Sequence, residues 1–67
     1  MASKMDIYRT AAVLIRLHGD WAALEAAGRA DALQERGDRD GERVWIRVLA
    51  AVEELQCTER PAGVTQH

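Results

Sequence analysis

Val44-Trp45-Ile46-Arg47-Val48-Leu49-Ala50-Ala51-Val52-Glu53-Glu54-Leu55 decides how this chain folds. Val44, Trp45, Val48, Leu49, Val52 and Leu55 recur every three or four residues, a spacing that gathers side chains on one face of an α-helix. Ile46 and Ala50 fall off that face, beside Arg43, Arg47 and Glu54. The helix is expected over about residues 39–56, with Asp38 or Asp40 accepting from the free amides of its first turn.

Upstream, Gly37 is placed to end a second helix, expected at about residues 21–36 with Asp20 as its N-cap. Its apolar face reads Ala23, Ala26, Ala27, Ala30 and Leu33, small side chains that let a neighbouring helix come close. Trp21 and Leu24 project from roughly the opposite side, to be wrapped by another segment or left for a partner. A first helix is expected at about residues 4–17, started by the Ser3 hydroxyl and stopped by Gly19. Ile7, Tyr8, Ala11, Leu14, Ile15 and His18 form its apolar face. Residues 58–67 contain proline, glycine and polar side chains and read as an extended tail. No strand-like alternation occurs. The expected fold is therefore a single all-α domain over 1–67, a small three-helix bundle with a short extended C-terminal tail.

Size limits what such a domain achieves alone, since a chain of about 60 residues buries only about 60% of its unfolded surface. Small folds usually add a disulfide framework, a metal or a partner subunit. The single cysteine, Cys57, permits no intramolecular disulfide, and His18 and His67 with one cysteine do not make a zinc site of ordinary spacing. Oligomerisation is the supplement left.

The charge pattern narrows the partner. With 30% charged residues and a net charge of -2, acidic and basic residues alternate through Glu35-Arg36, Asp38-Arg39-Asp40 and Glu42-Arg43, so no basic stripe builds up for phosphate. The second and third helices resemble a helix-turn-helix in their short connection. The would-be recognition helix, however, opens with Asp40, Glu42, Arg43 and Arg47 in mixed sign and has no asparagine or glutamine to read base edges. Nucleic acid is therefore disfavoured. The apolar run Ala11–Ile15 is too short to span a bilayer, and no basic-plus-apolar leader opens the sequence, so no membrane association and a cytoplasmic location are expected.

Candidate chemistry gives way to structural roles. His18-Gly19-Asp20 sets a histidine near a carboxylate, as a general base requires. Yet a helix stop followed by a helix start demands the same residues, and no serine, cysteine or second carboxylate is tied to them by spacing. Asp38-Arg39-Asp40-Gly41-Glu42 has the aspartates of a calcium loop, but Leu49 stands where the bidentate glutamate belongs. Cys57 near a helix C-terminus, with Glu53 and Glu54 close by, is poorly placed for thiolate chemistry. A lone tetratricopeptide-like hairpin is too short for a solenoid. No catalytic, cofactor-binding or metal-binding residue is expected; the residues expected to remain for a protein interface are Trp21, Leu24, Ile46 and Ala50.

Leu14-Ile15, His18-Gly19, Arg29-Ala30-Asp31, Gly37-Asp38, Asp40-Gly41, Val44-Trp45, Arg47, Ala51-Val52-Glu53-Glu54-Leu55, Arg60-Pro61 and Gly63 together resemble, in order and spacing, a family of very short bacterial helical proteins of unknown function. One departure is Gly28, where a larger residue is expected before Arg29 and where glycine costs a helix about 1 kcal/mol relative to alanine unless it relieves a close contact. The resemblance implies a stand-alone helical protein in a bacterial cytoplasm and no particular activity.

The function expected from these readings is a non-enzymatic protein-interaction module or self-associating helical subunit. The alternatives are a small nucleic-acid-associated regulator using the helix-turn-helix-like pair and a mobile-element inhibitor of a host complex.

Overall fold

Ser3 opens the fold as expected: its hydroxyl accepts from the Asp6 amide at 3.2 Å and so starts α1 (Lys4–His18). In the computed structural model, which describes residues 3–59, every described element is helical, and the chain is all-α among those residues. Gly19, at φ +57°, ends α1 with its amide bonded to the Ile15 carbonyl.

The expected loop between the first two helices is absent. A single 3-10 turn over Gly19–Trp21 passes directly into α2 (Ala22–Glu35), with the Ala22 amide bonded to the Gly19 carbonyl. Helical hydrogen bonding thus runs from Lys4 to Glu35 with a corner at Gly19, and only Arg36–Asp38 interrupts it before α3 (Arg39–Glu59). The expected three-helix bundle is corrected accordingly: the chain makes two uninterrupted helical stretches, the first sharply turned. Asp20 does not act as the expected N-cap, because it lies inside the 3-10 turn and the N-cap position of α2 is Trp21, without a side-chain cap. The turn satisfies locally an amide that a capping side chain would otherwise serve.

The α2–α3 connection is a Schellman closure, with the Asp38 amide bonded to the Leu33 carbonyl at 2.9 Å and the Gly37 amide to Gln34 at 3.0 Å. Gly37 takes φ +79°, which an L side chain resists. Asp38 then caps α3, accepting from the Gly41 amide at 2.9 Å, so Asp38 rather than Asp40 is the cap. α3 extends beyond the expected end and includes the backbone of Thr58 and Glu59; the rest of the expected tail lies outside the described residues.

α3, about 30 Å long at 1.5 Å per residue, packs against both α1 and α2, which touch one another less extensively. Ile7, Ala11 and Leu14 from α1, Ala22 and Ala26 from α2, and Val48, Ala51 and Val52 from α3 form the core. The alanine face is turned relative to expectation: Ala22, Ala26 and Ala30 are buried, whereas Ala23, Ala27 and Leu33 are only half-buried. Spacing of four puts those three alanines in one ridge, and a ridge of methyl groups lets α2 approach α3 closely. Trp45, expected in the core, is half-buried at its edge, with the Arg29 guanidinium 5.1 Å from the ring centroid. The Gln56 carboxamide donates to the Gly19 carbonyl at 2.9 Å and ties the end of α3 to the corner.

Candidate interaction surface

The core holds its largest fully buried side chains at Val48 and Val52. Apolar side chains as large or larger lie outside it: Leu17 is 71% exposed, Met5 69%, Trp21 68%, Leu24 63%, Ile46 49% and Val13 46%. Of the expected interface residues, Trp21, Leu24, Ile46 and Ala50 are all exposed. They do not form one patch. Ile46 borders an open cleft with Gln34, Gly37, Arg39, Glu42 and Arg43 at the α2–α3 turn, and Ala50 borders another with Ile7, Tyr8, Arg47 and Glu54. Trp21 stands at the other end of α2, thirteen residues before Gln34 and so about 20 Å away along the helix.

Around the corner the exposed side chains are more concentrated. Leu17 precedes Gly19 by two residues, Trp21 follows it by two, and Leu24 lies one turn further on. Met5, Val13 and Leu17 were missed by the sequence reading. The same helical spacing that put Ile7, Ala11 and Leu14 inward puts Val13 on the far side of α1, so the signal was present.

Charges flank this surface unevenly. Arg9 and Arg16 are exposed on α1, and Asp31 and Glu35 are exposed on α2. None of the four makes an ion pair among the described residues, whereas Arg29 is engaged by Glu25 at 2.8 Å, one turn away. Lys4, Arg9 and Arg16 thus outnumber Asp6 among the exposed charges of α1, Asp31 and Glu35 outnumber Arg29 on α2, and Arg39, Arg43 and Arg47 are exposed on α3.

The other candidate positions have structural surroundings. His18 is half-buried at the end of α1, and Asp38 is occupied as a cap. Cys57 is an exposed free thiol on α3. Among the described residues no three histidine, cysteine, aspartate or glutamate side chains gather as metal ligands would. The Tyr8 hydroxyl donates to the Glu54 carboxylate; this bond, then slight desolvation and the nearby negative charge, raises the Tyr8 pKa above its ordinary value. That pair joins α1 to α3. No helix of the described residues is long and apolar enough to cross a membrane. Comparison with family models, curated proteins and solved structures yields no match for the chain.

Proposed function

We propose that this chain is a self-associating helical module, non-enzymatic, whose role is to hold proteins together in a bacterial cytoplasm. One observation carries the reading: Leu17, Trp21 and Leu24 are each more than 60% exposed at one end of a molecule whose core is built largely from alanine and valine. Fully burying a large apolar side chain is worth about 1.5–3 kcal/mol relative to leaving it in water. A small domain has few other sources of stability of that size. Large apolar side chains left exposed close to one another in the chain supply the kind of surface that interaction sites use. The resemblance to short bacterial helical proteins supports the setting and assigns no chemistry.

Sedimentation equilibrium of the purified chain tests the reading. The proposal expects a species of at least twice the 7.4 kDa chain mass at micromolar concentration and dissociation on dilution. A single monomer mass at every concentration contradicts it.

A further inference from the structure

We infer that the outward faces of α1 and α2 form a two-fold interface with a second copy of this chain, α1 of each copy lying along α2 of the other. The inference rests on the self-association proposed above and specifies its surface and register.

Two features of these faces favour a second copy as occupant. The first is that both faces carry unburied apolar side chains, Val13 and Leu17 on α1 and Trp21 and Leu24 on α2, so each has apolar surface to offer the other. The second is charge. Arg9 and Arg16 stand exposed on α1 without an ion pair among the described residues, and Asp31 and Glu35 stand exposed on α2 in the same condition.

A two-fold axis near the Gly19 corner brings residue i of one copy to residue j of the other and residue j to residue i. With α1 against α2, residues about equally far from Gly19 on its two sides meet, so at both crossings Leu17 faces Trp21, Val13 faces Leu24, and Arg9, ten residues before Gly19, lies near Asp31, twelve after it. With α1 against α1, arginines face arginines, and with α2 against α2, carboxylates face carboxylates; both arrangements are penalised electrostatically. The outer face of α3, with Ile46 among Arg39, Arg43 and Glu42, lies at the far end of α2 from the corner and stays in solvent in this assembly.

A charge-exchange experiment with full-length chains tests the pairing by light scattering at low salt, with circular dichroism to confirm helicity. One variant carries Arg9→Glu and Arg16→Glu, the other Asp31→Lys and Glu35→Lys. Each alone is expected at the 7.4 kDa monomer mass, because both crossings become like-charged, and an equimolar mixture is expected to regain twice that mass. Ile46→Lys is expected to leave the dimer intact.

A second measurement keeps the charges native. In a Cys57→Ser background, mixed Val13→Cys and Leu24→Cys chains should form more disulfide between the two populations than within either. A wild-type dimer whose mass ignores both charge variants, or whose mixture is not restored, overturns this pairing and leaves self-association standing. A wild-type monomer overturns both.

Discussion

Asp38 and Gly41 are matched to each other. One oxygen of the Asp38 carboxylate accepts the Gly41 amide at 2.9 Å, and the other lies 2.9 Å from where a Cβ on Gly41 would stand. Asp38→Ala is expected to destabilise the fold by about 1 kcal/mol, the usual value of an N-cap, and Asp38→Asn to retain most of it. Gly41→Ala alone should give no gain, because about 1 kcal/mol of helix propensity is offset by displacing a cap of similar value. In the Asp38→Ala background the same substitution should be better tolerated, because only the Leu33 Cδ1, 3.1 Å from the new Cβ, then has to give way. Urea unfolding of the four chains reads the whole cycle.

Gly28 makes the opposite case. It is exposed in mid-α2, and a Cβ built there meets nothing within 4 Å, so no close contact within the chain requires glycine. Gly28→Ala is expected to raise stability by about 0.5–1 kcal/mol, measured below the concentration at which the chain associates. A loss of stability there would contradict the described environment.

Ala26, fully buried between α2 and α3, is expected to reject a larger residue. Ala26→Leu should destabilise by about 1–3 kcal/mol, since the helices must separate or the new side chain must leave its rotamer. Thermal unfolding followed by circular dichroism is the check. A neutral result would mean that α2 does not pack closely on α3 through this ridge.

Tyr8 is the only tyrosine, so its ionisation can be followed without ambiguity by phenolate absorbance. Its midpoint is expected above 10.0, chiefly because the neutral hydroxyl donates to Glu54, and Glu54→Gln should move it back toward that value. The folded chain holds this proton more tightly than the unfolded one. The contribution to stability is therefore fully present below pH 10.0 and is lost as pH rises through the raised folded value.

Local backbone chemistry was the legible part of the sequence. Ser3, Gly19, Gly37 and Asp38 each perform the start or stop their types suggest, because capping depends on neighbours within one turn. Asp20 misled, since a 3-10 turn used the amides a cap would have served. The phase of α2 was harder to read. Alanine stands at 22, 23, 26, 27, 30 and 32, so several faces look equally apolar, and only packing against α3 selects the ridge through Ala22. Trp45 read as core because aromatic residues usually contribute large burial, but Arg29 from another helix covers it, a contact that no local pattern encodes. Trp21, Leu24, Ile46 and Ala50 were legible as residues off the core faces. Their division between two ends of the molecule was not, because it depends on how α3 lies against the corner.

Trp21 gives the most direct test of the central claim, that the exposed apolar side chains at the corner are covered by another copy of the chain. In a Trp45→Phe variant shown to remain helical, Trp21 is the only tryptophan, and its emission reports its own surroundings. The account predicts water-like emission at high dilution and a shift to shorter wavelength as concentration rises through the association midpoint. Water-like emission at every concentration, with the chain folded throughout, would contradict it.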